Sequence, residues 1–113
     1  MPEQKVKFIS KEELFEMMEN KEDIIVVEVL PKEDYDAGHI PFAINIPVNL
    51  LDTQALALLP RKDQRIVVYC SSFICTASTG AARKLQSMGY TNVLDYKGGK
   101  QDWSRADLPL LQS

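Results

Sequence analysis

Residues 66–88, which read IVVYCSSFICTASTGAARKLQSM, decide the fold class. The first five residues, ending at Cys70, form an apolar run rich in β-branched residues, which is typical of a strand buried on both faces of a parallel sheet. From Ala77 onward, small and apolar residues recur at helical spacing as far as Gly89, so a helix is predicted there. A short polar loop joins the two elements, and Cys70 stands where the strand ends.

The rest of the chain shows the same alternation of elements. Ser10 and Glu13 form a capping box, which predicts a helix that runs to about Asn20. Asp52 is predicted to cap another helix, which Pro60 closes. Further strands are predicted at 24–30, 43–46 and 93–95, and further helical segments at 31–37, 52–58 and around Trp103. Strands that alternate with helices predict a parallel sheet covered on both faces.

Composition limits the class of protein. The chain has 113 residues, 45% hydrophobic and 26% charged, so we expect one globular domain over residues 1–113. A net charge of −3 without a basic stripe argues against nucleic-acid binding. No apolar run approaches the length that crosses a bilayer, and no secretory leader follows the first lysines. The expected location is the cytoplasm, where two cysteines are more often reactive or inert than joined in a structural disulfide.

The position of Cys70 favours a reactive thiol. Ligands of open parallel sheets bind beyond the carboxyl ends of the strands. The loop after Cys70 leads to a helix N-terminus, whose free amides and dipole favour anions and lower the pKa of a thiol. An inert buried cysteine is the alternative that position alone leaves open.

Two further motifs resemble one known family. Residues 35–47, YDAGHIPFAINIP, are similar to the rhodanese signature Y-x-x-G-H-I-P-G-A-x-N-I-P. The later segments GYTNV (89–93) and KGG (97–99), with Trp103 and Leu108-Pro109, resemble the ending of the same family. The resemblance implies a rhodanese-like α/β fold, with a three-layer arrangement of a five-stranded parallel sheet flanked by helices. It places Cys70 where the family carries its persulfide-forming nucleophile, and it implies no metal or organic cofactor.

The cysteine loop departs from the family pattern. The helix register matches Ser78 to the serine that starts the family's helix, so the loop from Cys70 to Ala77 has eight residues where six are usual. The loop contains no arginine or lysine, so phosphatase chemistry, which needs an arginine, is not expected. Because the loop has no cationic side chain, its backbone amides are expected to hold the persulfide or a small anion. The predicted substrate-binding loop consists of Ser71, Ser72, Phe73, Ile74, Thr76, Ala77 and Ser78.

Several nearby residues keep two interpretations. Cys75 is a possible resolving thiol, provided that its α-carbon lies within about 7 Å of that of Cys70; otherwise it only packs. Lys97 and Lys100 either supply the positive charge that the loop lacks or are simply solvated. His39 is expected to fix loop geometry rather than to act as a base. Phe42 is grouped with two loop residues, Phe73 and Ile74, as an apolar rim or as filler.

The functional prediction is a sulfurtransferase or persulfide carrier. Cys70 would take sulfane sulfur from a small donor, thiosulfate-like or a persulfide, and pass it to a thiol or another acceptor. The expected partners are a small sulfur-containing substrate or a thiol or persulfide carrier protein. One alternative is a thiol–disulfide or oxyanion reductase that uses Cys70 and Cys75, and another is a non-catalytic rhodanese-like module. Two cysteines and His39 fall short of the four ligands of a usual zinc site. The oligomeric state stays open.

Overall fold

The computed structural model describes residues 5–112. It contains five strands and five helices, and from the first helix onward they alternate in the order that the sequence predicts. The strands are β1 (Lys7–Phe8), β2 (Ile24–Glu28), β3 (Ile44–Asn45), β4 (Arg65–Tyr69) and β5 (Val93–Tyr96). The helices are α1 (Lys11–Glu19), α2 (Lys32–Ala37), α3 (Leu51–Leu58), α4 (Ala77–Ser87) and α5 (Gly99–Arg105), with a 3₁₀ turn at Val48–Leu50 before α3.

All five strands belong to one parallel sheet with the order β1-β5-β4-β2-β3. The strand β4 lies at the centre, between β5 and β2. Each face of the sheet buries its own apolar cluster, one with α3 and α4 and the other with α1 and α5. The predicted three-layer α/β fold is therefore confirmed, and the carboxyl end of its central strand lies directly before Cys70.

A local signal explains the start of α1, but another fails at α3. The capping box is present: Ser10 Oγ accepts from the Glu13 amide at 3.1 Å, and Glu13 Oε1 accepts from the Ser10 amide at 3.0 Å. The prediction for Asp52 is wrong, because Leu50 is the N-cap residue of α3. Asp52 already lies inside the helix, where its carboxylate pairs with Lys84 at 2.9 Å.

Two strands end before the apolar runs that predicted them. β2 ends at Glu28 rather than at residue 30, and β4 ends at Tyr69, so Cys70 follows the strand instead of closing it. The edge strand β1 was not predicted, because two exposed residues carry no periodic pattern. Within residues 5–112, no helix has the length and apolar character that a membrane span requires.

Candidate active site

The cysteine loop comprises residues 70–76 and joins the central strand to α4. Cys70, at its start, is fully buried and belongs to the apolar cluster on the α4 face. Two residues assigned to the loop from the sequence, Ala77 and Ser78, belong instead to the first turn of α4. The loop is therefore shorter than predicted, because Thr76 already takes the N-cap position of the helix.

The first residues of the loop are held by the N-terminus of α5. The amide of Lys100 donates to the Cys70 carbonyl at 3.1 Å, and the amide of Gln101 donates to the Ser71 carbonyl at 2.8 Å. Gly99 makes this approach possible, since a Cβ there would lie only 2.9 Å from the carbonyl carbons of both Cys70 and Ser71. Its φ of +64° also lies in the left-handed region that favours glycine. The second glycine of the pair thus positions the cysteine.

The two cysteines are joined as a disulfide, with their α-carbons 6.5 Å apart. The distance satisfies the condition that a resolving role for Cys75 requires. The two residues differ in exposure: Cys70 is fully buried, whereas Cys75 is partly exposed on the loop. Cys75 is therefore the more exposed residue of the pair.

In the second half of the loop, from Ser72 to Thr76, most backbone N–H groups donate no hydrogen bond within residues 5–112. The amide of Cys75 donates to the Ser72 carbonyl at 3.1 Å. The amides of Ser72, Phe73, Ile74 and Thr76 meet no acceptor among residues 5–112. Because α4 begins immediately afterwards, these amides lie close to the positive end of its dipole. The loop therefore offers donors to an anion without any cationic side chain of its own.

Within residues 5–112, no contact indicates a binding role for the loop side chains that are predicted to bind substrate. The hydroxyls of Ser71, Ser72 and Thr76 make no hydrogen bond within the described residues. Phe73 and Ile74 project outward, with 60% and 91% of their surface exposed. The structure therefore leaves these five side chains available at the loop surface, and their role in binding remains a prediction.

The two lysines that bracket the double glycine have different surroundings. The ammonium of Lys97 donates to the Cys75 carbonyl, so its positive charge lies against the loop. The ammonium of Lys100 instead reaches the Glu28 carboxylate at 3.1 Å and the carbonyls of Asp34 and Gly38 at 2.8 and 2.9 Å. Of these two lysines, Lys97 brings its charge to the cysteine loop and Lys100 does not, although the same two roles are predicted for both from the sequence.

Glu28 is a buried carboxylate that sequence reasoning missed as part of the site. It accepts from the Tyr69 hydroxyl at 2.8 Å and from Lys100 at 3.1 Å, and Tyr69 in turn accepts from the Ile40 amide at 3.1 Å. Burial raises the pKa of Glu28, and the hydrogen bond from Tyr69 and the charge of Lys100 offset part of that rise. A glutamate inside the apolar run IIVVEVL is the signal that could have identified it, since buried carboxylates need partners.

A second polar group lies beneath the first turn of α4. Thr79 donates through its hydroxyl to Asp95 Oδ2 at 2.7 Å, and both Asp95 and Ser78 are fully buried. Asp95 Oδ1 and Ser78 Oγ have no hydrogen-bond partner within the described part of the chain. Buried polar atoms of this kind are usually satisfied by ordered water. Sequence reasoning assigned Ser78 to the loop and gave Asp95 no role.

Two residues of the motif at 35–47, His39 and Phe42, remain to be placed. The ring of His39 stacks on Tyr35 with 4.0 Å between centroids, and its Nδ1 lies 3.0 Å from the Ile40 carbonyl oxygen. Phe42 is 88% exposed, but it lines a small pocket with Ile24, the first residue of β2. The first residue of β2 lies at the opposite end of the sheet from Cys70. The prediction that Phe42 shares a rim with Phe73 and Ile74 is therefore wrong.

The fold and the strand-to-helix cysteine loop together define a class of protein. Residues 10–106 match the model of the rhodanese-like domain. The chain belongs to the rhodanese-like family, as the motifs around His39 and the double glycine predict.

Individual relatives support the same assignment. The chain is 31% identical over 103 residues to a sulfurtransferase of Allochromatium vinosum, covering 91% of this chain and 92% of that protein. It is 36% identical to the HTH-type transcriptional regulator Rv0324 of Mycobacterium tuberculosis, but spans only 43% of that protein's length. A human single-domain sulfurtransferase superposes with a TM-score of 0.78 at 26% identity, covering 89% of this chain and 97% of that one. The family includes sulfurtransferases as well as longer proteins that contain the domain.

Proposed function

We propose that this chain is a sulfurtransferase or persulfide carrier in which Cys70 is the nucleophile. The observation that carries the proposal is the placement of Cys70 directly after the central strand. The loop that follows leads to a helix N-terminus, and most of its amides meet no acceptor among residues 5–112. Such surroundings favour a thiolate and hold an anion. Membership of a family with sulfurtransferase relatives supports this reading. The proposal includes a single domain over residues 1–113 and a cytoplasmic location, where cellular thiols are available.

The first half-reaction loads sulfur onto Cys70. The Cys70 thiolate attacks the outer sulfur of a donor, R–S–SH, so that a new S–S bond forms on the protein and the donor's S–S bond breaks. The electron pair of that bond leaves with the donor as the thiolate R–S⁻. With thiosulfate the same attack releases sulfite. The free amides of the loop donate to the persulfide anion that results.

The second half-reaction unloads the sulfur. An acceptor thiolate attacks the outer sulfur of the Cys70 persulfide, a persulfide forms on the acceptor, and Cys70 leaves as a thiolate. Neither half-reaction requires a metal ion or an organic cofactor. The exposed Phe73 and Ile74 offer apolar contact to whichever donor or acceptor approaches the loop.

The paired cysteines favour a second candidate, a thiol–disulfide reductase. The Cys75 thiolate would attack the inner sulfur of the Cys70 persulfide, which forms the Cys70–Cys75 disulfide and expels hydrosulfide. Two equivalents of a thiol would then reduce the disulfide and leave as their own disulfide. The observation behind this candidate is the 6.5 Å separation of the two α-carbons.

Release of hydrosulfide from a donor separates these candidates. The protein, its Cys70→Ser variant and its Cys75→Ser variant would be supplied with thiosulfate or cysteine persulfide, with dithiothreitol as the acceptor. We expect Cys70→Ser to lose at least about 100-fold in rate, because the nucleophile is removed. Turnover by Cys70→Ser at the native rate would contradict both candidates. Retained turnover in Cys75→Ser supports the carrier, whereas its loss supports the reductase.

A further inference from the structure

A groove of about 550 Å³ runs along the outer face of α4, beside the cysteine loop. We call it the α4 groove, and it is lined by Phe8, Thr76, Thr79, Gly80, Arg83 and Lys97. Four of these residues recur at intervals of three, one and three along the helix, and so share one face. The distance along α4 from Thr76 to Arg83 is about 10 Å. Volume and length suit a small molecule rather than a protein segment.

The charge of the α4 groove is positive, although the protein as a whole carries a net charge of −3. Arg83 and Lys97 lie in the lining, and neither forms an ion pair with a carboxylate among residues 5–112. Lys97 uses one of its three donors on the Cys75 carbonyl, which leaves two for a ligand. The nearby acid, Asp95, is fully buried and accepts from Thr79. A carboxylate is the ligand that a guanidinium and an ammonium would bind here.

The α4 groove borders the segment of the cysteine loop that carries Cys75. Thr76, the next residue, and Lys97, which contacts the Cys75 carbonyl, both line it. Cys75 is also the partly exposed member of the disulfide, whereas Cys70 is fully buried. A ligand anchored at Arg83 and Lys97 would therefore lie beside the loop segment that carries the more exposed cysteine.

We propose that the α4 groove binds a low-molecular-weight thiol that carries a carboxylate, and that this thiol opens the Cys70–Cys75 disulfide at Cys75. The ligand thiolate attacks the Cys75 sulfur, a mixed disulfide forms there, and Cys70 leaves as a thiolate into the amides of the loop. A second thiolate then attacks the mixed disulfide, which frees Cys75 and releases the ligand as its own disulfide. The inference rests on the proposed function, since the freed Cys70 is the nucleophile of that reaction.

The test compares two thiols as reductants of the oxidised protein, 3-mercaptopropionate and uncharged 2-mercaptoethanol. Each rate is measured by alkylation of the freed cysteines and mass spectrometry, and is corrected for the thiolate fraction of the reagent. Arg83→Gln should slow reduction by 3-mercaptopropionate about fivefold relative to 2-mercaptoethanol, the fold-change of one exposed ion pair of about 1 kcal/mol. Lys84→Gln is the matched control, because it removes the same charge from the next residue, which pairs with Asp52 instead. It should leave the ratio unchanged.

The reduced protein gives an independent measurement. Alkylation of Cys75 by anionic iodoacetate and neutral iodoacetamide is followed by peptide mass, and Arg83→Gln should lower the ratio of the two rates by the same factor. Equal effects of Arg83→Gln and Lys84→Gln in either assay would overturn the α4 groove proposal. These assays do not require sulfur transfer, so an inert Cys70 in the hydrosulfide assay would remove the proposed function without altering their outcome.

Discussion

The two halves of the cysteine loop are built differently. At the start, the carbonyls of Cys70 and Ser71 accept from two α5 amides, and Gly99 lies in close contact with them. From Ser72 to Thr76, one backbone hydrogen bond lies within the loop, and Lys97 adds a contact to Cys75. The proposed nucleophile is therefore positioned by the fold itself, whereas its partner cysteine is carried by a segment with few contacts.

The network behind Cys70 extends well beyond the loop. Lys100, whose amide donates to the Cys70 carbonyl, uses its ammonium to join Glu28 with the end of α2. The backbone and the side chain of one residue thus link the proposed nucleophile to a buried ion pair. No comparable network involves the second half of the loop in residues 5–112. Perturbing the two halves should therefore produce effects of different size.

Replacement of Lys100 by methionine should have the largest effect on stability. Methionine keeps the length and packing of the side chain but leaves the Glu28 carboxylate buried without its cation. Removing one partner of a buried pair costs about 3 kcal/mol in the free energy of unfolding, to be measured by urea denaturation. The control Lys84→Met removes half of an exposed pair with Asp52 and should cost less than about 0.5 kcal/mol. Equal losses in the two variants would show that the Lys100 ammonium does not stabilise the buried Glu28 carboxylate.

Replacement of Gly99 by alanine should come next. Its Cβ would collide with the Cys70–Ser71 backbone, and the φ of +64° disfavours alanine. We expect a loss of about 2 kcal/mol in the free energy of unfolding and slower alkylation of the reduced Cys70. Gly80→Ala is the control, because its Cβ would meet no atom within 4 Å, and in a helix it should gain about 0.5 kcal/mol. A Gly99→Ala variant as stable as Gly80→Ala would contradict the close approach.

The smallest expected effect is the pH dependence that Glu28 contributes. Because burial raises its pKa, the folded protein holds this proton more tightly than the unfolded chain. That contribution to stability is fully present below the ordinary value of 4.5 and is lost as the pH rises through the raised pKa. The Glu28→Gln variant cannot titrate at this position. With rising pH, its free energy of unfolding should therefore fall less steeply than that of the parent protein, or rise more steeply where both rise. Parallel curves of unfolding free energy against pH would contradict a raised pKa.

The sequence predicted the features that depend on local order. The capping box of Ser10 and Glu13 marks the start of α1, and the apolar run before Cys70 marks the central strand. The family motifs likewise predict the sheet and its helices, because they lie at the turns that connect those elements. The position of Cys70 at a strand-to-helix loop follows from the same local signals.

Other features depend on contacts between residues distant in sequence. Lys97 and Lys100 look equivalent as flanks of a double glycine, yet one faces the loop and the other pairs with Glu28, which lies 72 residues away. The α4 groove joins Phe8 of an edge strand to Arg83 of a helix. No periodicity in the sequence reports these pairings, because the order of the strands in the sheet creates them.

The most direct measurement is the location of transferred sulfur after one exposure of the reduced protein to cysteine persulfide. Residues 66–83 form one tryptic peptide with both cysteines, and fragment ions that break between them assign any added mass. We predict a gain of about 32 Da, one sulfur atom, on Cys70 in the Cys75→Ser variant and in the early time points of the parent protein. Added sulfur on Cys75 alone, or an unchanged peptide mass at every donor concentration, would contradict Cys70 as the sulfur-carrying nucleophile.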